Sequence, residues 1–425
     1  MEPIVTPPIS EPAQAAAEVM PRELTESKPD KYLWGIYITI CLISIIELYS
    51  ASSREVSSSA FGVFGPVVRH AFMLGAGCGL IFLLQKVHYR KFIPFIPVIA
   101  FASVVMMLYV MFFGEIVNGA RRSFSLAGVT IQPSEFLKLS SALVIALIMS
   151  RTQIRGGVKN IGITVSAIIV MLFGGLLIKQ GMTNTILLMF ISLSMMVIGG
   201  VEWKKFMIVI AVYLACVGVF YTITKNSDDD DVNRTSTWTE RLSRFKGDGQ
   251  PKYMQEIDAK NRQEMYAYMA QANGGIFGVF PGNSRETARL PLAFSDFIFS
   301  IIVEDMGLVG GLLVLLCYLG LLGRASAIAS KCSRAFPALL VIGMAVMVAF
   351  QALFHMAIVT GFFPVSGQPL PLISKGGTSI LTTSIAIGVM LSVSRYAVRN
   401  GKKQDIKNEM DVLPDEMRAE NPTQL

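Results

Sequence analysis

Apolar residues in this chain run in long unbroken stretches separated by short polar connections. Stretches of this kind cover about 33–51, 65–85, 92–113, 133–150, 161–178, 184–200, 206–223, 296–321, 336–359 and 377–394. Each approaches the ~20 residues that a helix needs to cross the hydrocarbon of a bilayer. The pattern predicts an all-α polytopic membrane protein with about ten transmembrane helices. Polar residues around Gln180 to Thr183 separate the fifth stretch from the sixth, and one helix covering both would far exceed a bilayer.

Lysine and arginine give the orientation. Lys86, Arg90 and Lys91 follow the second stretch, Arg151, Arg155 and Lys159 the fourth, and Lys204 and Lys205 the sixth. Arg324, Lys331 and Arg334 follow the eighth, and Arg395, Arg399, Lys402 and Lys403 the tenth. Every even-numbered exit is basic, so both termini are expected in the cytoplasm. Arg54, Arg121, Arg122, Lys179 and Lys375 are exceptions on the other side. Residues 1–30, rich in Pro, Ala and Glu, lack the apolar core of a secretory signal and read as a disordered tail. The membrane domain spans 31–399 and a second tail 400–425. One long outer connection, 225–294, joins the seventh and eighth helices and carries an amphipathic stretch near 253–272. It holds ten Lys or Arg and ten Asp or Glu, and is therefore nearly neutral. The run Asp228 to Asp231 lacks the spaced ligands and glycine of a calcium-binding loop.

Composition agrees. Of 425 residues, 52% are hydrophobic and 16% charged, against roughly 25% charged in a typical soluble domain. This excludes an ordinary soluble enzyme, a disordered chain and a nucleic-acid binder. The net charge of +7 is the positive-inside bias. Five cysteines without a C-x-x-C pair, and only three histidines, support neither a disulfide framework nor a zinc site.

The informative charges are those at membrane depth, where each costs ~2.5–3.5 kcal/mol on insertion scales. Three clusters sit on the outer side. In the first, Asn118 to Phe124 includes Arg121 and Arg122, whose guanidinium groups suit a phosphate-bearing ligand through paired hydrogen bonds. In the adjoining run Gln132 to Lys138, Pro133 suits the first turn of a helix. Glu135 and Lys138, three apart, share a face there; a structural ion pair and a substrate role fit them equally. In the second cluster, Asp296 stands at the mouth of the eighth span as a candidate proton acceptor. Ser295 and Asp296 serve equally well as a helix cap. Glu304, deeper in the helix, needs a partner, for which an Arg or Lys of another helix is the cheapest choice. In the third, the Pro- and Gly-rich run 364–379, including Ser374 and Lys375, cannot form a regular helix. Irregular backbone at that depth is tolerated only against protein or a water-filled cavity. Gln351 and His355 add a polar stripe to the ninth span, with His355 reading as a hydrogen-bonded interior residue rather than a base.

In this order, NGARR at 118–122, QPSEFLK at 132–138, GGIFGVFPGNSRE at 274–286, SDFIFSIIVEDMG at 295–307 and TGFFPVSGQPLPLISKGGTS at 360–379 resemble the SEDS family (shape, elongation, division and sporulation), over about 33–399. The end of the first span, Tyr49 to Ser53, and the stretch with Arg241 and Arg244 resemble its division branch more than its elongation branch. The resemblance implies a ten-helix glycosyltransferase that polymerises lipid II into peptidoglycan strands at the division septum, on the outer face of the bacterial inner membrane. It implies a class B penicillin-binding protein and other division proteins as partners. It carries an essential carboxylate onto Asp296 and substrate contacts onto Arg121, Arg122, Glu135 and Lys138. Lys375 departs from the aromatic residue of many members, Gln180 to Thr185 lacks their acidic residue, and Phe124 replaces their tryptophan with a shift of one.

The mechanism implied has Asp296 taking a proton from a sugar hydroxyl of lipid II. That hydroxyl attacks the anomeric carbon of a polyprenyl-pyrophosphate-linked strand. Arg121 and Arg122, joined by Lys375, neutralise charge developing on the pyrophosphate, and Ser374 is a further hydrogen-bond donor to it. A divalent cation is compatible with the scheme, although no ligand set for one stands out, and no other cofactor is implied. A transporter of lipid-linked precursor and a non-catalytic scaffold of the division machinery are the competing readings.

Overall fold

A computed structural model of the chain describes residues 28–51, 65–117, 120–126, 129–154, 157–178, 180–225, 245, 256–258, 261–290 and 293–396. The expectations for 1–27 and 400–425, for Arg54, Arg155, Lys179, Arg241, Arg244 and Arg399, and for the four-aspartate run lie outside these residues, while Asp30, expected in the first tail, is described.

Helices occupy all ten expected positions: α1 (Lys31–Ala51), α2 (Gly65–Leu84), α3 (Phe95–Phe113), α4 (Pro133–Arg151), α5 (Asn160–Ile178), α6 (Met182–Ile198), α7 (Trp203–Lys225), α9 (Ile298–Ala329), α10 (Ala335–Val359) and α11 (Gly377–Tyr396). Between α7 and α9 lies α8 (Arg262–Gly274), within the stretch expected to be amphipathic. Over the described residues, eight of the ten are long and apolar enough to cross a membrane. Of the other two, α6 has 17 residues, about 26 Å at 1.5 Å per residue, and α7 carries no charged residue from Phe206 to Ile223. Phe72, Phe101, Phe112 and Leu316 stand exposed on the outside of the bundle. Apolar side chains of this size presented outward are what contact with lipid tails selects.

Burial ranks the helices. In the apolar windows of α10 and α11, 83% of residues are buried and in α4 72%, against 22% in α2 and α3. Thus α4, α10 and α11 form the centre, and α2 and α3 face outward. Aromatic contacts seal α6 against α10, with the Phe190 ring 5.5 Å from that of Phe354.

One face of the bundle gathers the start of α1 with the ends of α2, α9 and α11. Asp30 caps α1, accepting from the backbone N–H of Tyr32 (3.0 Å) and Leu33 (3.1 Å). Its other oxygen accepts from Arg324 Nε at 2.8 Å and Nη2 at 2.5 Å. Ser394 Oγ accepts from Asp30 N at 3.2 Å, and Tyr396 donates its hydroxyl to Lys86 O at 2.8 Å. The ends of α4 and α6 meet through Gln153 Nε2 and Gly199 O at 3.2 Å. All these exits are the ones whose basic residues set the expected orientation.

Two features correct the sequence reading. The eighth span is expected over 296–321, but α9 extends to Ala329 and breaks at Gly307 (φ 69°, ψ −169°). Its 32 residues would give about 48 Å, well beyond a ~30 Å core. The part beyond the break, 308–329, has the bilayer length. The basic residue taken as the end of the span, Arg324, is neutralised by Asp30, so the helix runs on past it. At the break, Val279 and Phe280 donate their N–H groups to the carbonyls of Glu304 and Asp305 at 2.9 Å each. Leu308 N in turn donates to Gly275 O at 3.0 Å. A Cβ on Gly307 would lie 2.2 Å from Ile276 O, so only glycine lets these two backbones meet.

The second correction concerns 115–131, read as a loop. It forms an antiparallel meander of β1 (Glu115–Val117), β2 (Ala120–Leu126) and β3 (Val129–Ile131), with Ile116 opposite Arg121 and Phe124 opposite Ile131. A short hairpin, β4 (Gln153–Ile154) with β5 (Gly157–Val158), follows α4.

Candidate functional site

Opposite the face carrying Asp30, four segments converge: the β meander, the start of α4, the turn 293–297 before α9, and the irregular run 360–376 between α10 and α11. Asp296 lies in that turn, half-buried. The residue that caps α9 is Phe297, without a side-chain cap bond. Ser295 and Asp296 stand just before that position.

Each partner of Asp296 comes from a different segment. Arg122 on β2 is half-buried, and its guanidinium interacts electrostatically with the Asp296 carboxylate. Burial lowers the Arg122 pKa from its ordinary value, and the charge of Asp296 pulls it back up. An arginine starts so high that it stays protonated through such a shift. Arg121, its neighbour, is exposed and turned away. Its Nη1 donates to the Phe112 carbonyl at 2.5 Å and the Met111 carbonyl at 3.4 Å, closing the C-terminus of α3. Alternation along a strand separates the two arginines.

The run 366–375 holds the Asp296 turn from the other side. Ser374 is fully buried; its Oγ donates to Ser295 O at 2.6 Å and accepts from Leu370 N at 2.7 Å. Lys375 N donates to Phe294 O at 2.9 Å, and Lys375 Nζ sits 4.7 Å from the centre of the Phe294 ring. Gly367 (φ 68°) lies directly against the carboxylate.

This run is irregular yet buried, so its backbone groups need partners from elsewhere. Three helices supply them. His355 Nδ1 of α10 lies 2.6 Å from Gln368 O, and Gln351 Nε2 donates to Pro369 O at 3.5 Å. Tyr318 of α9 donates its hydroxyl to Pro371 O. Ser44 Oγ of α1 donates to Leu372 O at 2.8 Å, with His70 Nε2 of α2 2.7 Å from the same hydroxyl. Leu372 is held at φ 65°, a conformation costing a non-glycine residue about 1–2 kcal/mol, against which its complete burial and the Ser44 bond work.

Glu135 and Lys138, expected as either an ion pair or substrate contacts, lie inside the bundle. Lys138 is fully buried and Glu135 nearly so. Lys138 Nζ donates to Glu135 Oε1 at 2.7 Å and to Gln351 Oε1 at 3.1 Å, while Gln351 Nε2 donates to Glu135 Oε2 at 3.2 Å. The ring of three ties α4 to α10, and through Gln351 to the run beside Asp296. Thr378 at the start of α11 completes the frame, donating to Thr130 O at 2.9 Å and accepting from Gln132 N at 3.1 Å.

Glu304 differs from expectation. Its partners are the hydroxyl of Ser284 and the backbone N–H groups of Arg285 (3.0 Å) and Glu286 (3.4 Å), not a cation from another helix. Converging neutral donors stabilise a carboxylate without immobilising a long basic side chain. Nearby, burial raises the pKa of Glu286, opposed by Arg289 and Arg285 and reinforced by Glu304. No group of three or more His, Cys, Asp or Glu side chains placed to hold a metal occurs among the described residues.

With this geometry in view, comparison with known proteins is informative. Residues 30–399 match the family model "Cell cycle protein", which covers FtsW, RodA and SpoVE. The chain belongs to the FtsW/RodA/SpoVE family. It is 28% identical over 382 residues to stage V sporulation protein E of Bacillus subtilis (strain 168), covering 88% of this chain and 98% of that protein. It is 27% identical over 384 residues to the probable peptidoglycan glycosyltransferase FtsW of the same organism, covering 87% and 92%. In fold it is similar to a chain of a peptidoglycan synthase complex that coordinates polymerisation and crosslinking, with a TM-score of 0.67 at 23% identity, covering 87% of this chain and 98% of the other. The crystal structure of the rod shape determining protein RodA of Thermus thermophilus gives 0.60 at 23%, with the same coverage. These solved chains show the fold. All five motifs of the FtsW/RodA/SpoVE resemblance fall within the matched residues, and those from 118–138, 295–307 and 360–379 meet around Asp296. Phe124, in place of the usual tryptophan, packs edge-on against Tyr109 at 5.4 Å rather than standing open.

Proposed function

We propose that this protein is a peptidoglycan glycosyltransferase that polymerises lipid II on the outer face of the bacterial inner membrane, in the division branch of its family and beside a class B penicillin-binding protein. Ten spans with both termini in the cytoplasm put the Asp296 face outside. The observation that carries the reading is a half-buried Asp296 in a turn clamped by 366–375, with the Arg122 guanidinium interacting with it electrostatically from β2. A base and a positive charge acting on one site are what glycosyl transfer from a pyrophosphate needs.

In the reaction, the sugar hydroxyl of one lipid II attacks the anomeric carbon of the lipid-linked strand. A new C–O bond forms there as the bond from that carbon to the pyrophosphate oxygen breaks. The hydroxyl proton passes to Asp296, and the electron pair leaves with the pyrophosphate, whose charge Arg122 and Lys375 meet. Glu135, Lys138 and Ser374 act from behind, fixing the run that holds the Asp296 turn. The names of the relatives, peptidoglycan glycosyltransferase among them, support the same reaction class. The test is to add the purified protein and its penicillin-binding partner to labelled lipid II in detergent, where sidedness is lost. Polymeric glycan is expected; intact lipid II would contradict an enzyme and favour a transporter or scaffold.

A further inference from the structure

Asp296 is held by a frame with little freedom. Ser295 O and Phe294 O are tied to Ser374 and Lys375 at 2.6 and 2.9 Å. Across from them, Gln368 O and Leu370 N are tied to His355 and Ser374 at 2.6 and 2.7 Å. Between these anchored stretches, Gly367 turns the chain through φ 68°. A Cβ built on it would lie 2.9 Å from Asp296 Oδ2, 3.4 Å from Cγ and 3.8 Å from Oδ1. The carboxylate thus rests on the bare Cα of residue 367. With both backbones anchored, the side-chain torsion of Asp296 is the softest coordinate available to relieve such a contact.

We infer that Gly367 is a positioning residue for the Asp296 carboxylate: the missing side chain leaves the space in which the base is aimed, and any Cβ there drives the base out of line. The inference rests on Asp296 being the general base. It separates two reasons for a glycine at this position, since a left-handed conformation alone also favours one. Gly282 supplies the control. It has φ 90°, and a Cβ on it would meet nothing within 4 Å. Gly282→Ala therefore carries the backbone cost without the collision.

The experiment measures lipid II polymerisation by the full chain with its partner, for wild type, Gly367→Ala, Gly367→Asn, Gly282→Ala and Asp296→Asn. Displacing a catalytic group by an ångström costs on the order of 100-fold, so Gly367→Ala should lose turnover on that scale. Apparent KM should stay within about threefold, because binding of lipid II is untouched. Asparagine accepts the left-handed conformation more readily than alanine but has the same Cβ. Gly367→Asn should therefore fold well and lose turnover as alanine does, while Gly282→Ala keeps close to wild-type turnover. Turnover in both Gly367 variants equal to that of Gly282→Ala would overturn the inference. So would a rise in KM accounting for the whole loss, or failure of both variants to fold as judged by melting. A wild type and Asp296→Asn of equal activity would instead remove the general base, and this inference with it.

Discussion

Two adjacent arginines in one strand do different work. Arg122 is half-buried and interacts electrostatically with Asp296, and Arg121 is exposed and closes the end of α3. Removing a preorganised charge aimed at a developing oxyanion costs roughly 100- to 1,000-fold in turnover. Arg122→Ala should lose glycan synthesis on that scale. Arg121→Ala gives up a helix-end interaction worth ~0.3–1 kcal/mol and should lower the melting temperature slightly while keeping most activity. Initial rates on labelled lipid II, with melting curves in the same detergent, check both. Equal losses of rate would refute the division of labour. The sequence displays Arg121 and Arg122 as a matched pair; what separates them is strand alternation, and the strand is not visible in an apolar-run pattern. The Asn118-Gly119 dipeptide ahead of β2 is the one local hint of a hairpin.

Among the elements, α4 and α10 are joined by Glu135, Lys138 and Gln351. An ion pair removed from water is costly to break on one side only, about 3–5 kcal/mol, because the other charge stays buried. Lys138→Met should therefore destabilise the protein strongly. Lys138→Met combined with Glu135→Leu should restore part of that loss, as read from thermal melting in detergent. A double variant less stable than Lys138→Met would contradict the network as drawn. At the opposite face, Asp30→Ala removes both the α1 cap, ~0.5–2 kcal/mol, and the partner of Arg324. A drop in melting temperature is expected there with turnover preserved at permissive temperature, measured by the same two assays; a loss of turnover without a drop would be inconsistent with an anchoring role. The i, i+3 spacing of Glu135 and Lys138 is legible in the sequence, since helix periodicity places them on one face. Gln351, their third partner, is 216 residues from Glu135, and only packing brings it there. The break at Gly307 is likewise hidden, because a single glycine is tolerated inside a helix, and its cause is the approach of a distant backbone at Ile276.

For the molecule as a whole, the order of helices and the face shared by their basic exits follow from hydropathy and charge, because a bilayer leaves a chain few alternatives. Asp296 is visible too, as a carboxylate at the mouth of a span. What cannot be read along the chain is the frame behind it. Hydrogen-bond donors from α1, α9 and α10 converge on the carbonyls of one irregular run, and the run in turn holds the Asp296 turn. The fold thus spends buried polar groups far apart in sequence on fixing one carboxylate. The measurement that tests this most directly is lipid II polymerisation by purified Asp296→Asn with the penicillin-binding partner present, alongside its melting temperature. Asparagine keeps the size of aspartate and cannot take the proton. The account predicts no glycan polymer from a protein that melts as the wild type does; robust polymer from that variant would contradict it.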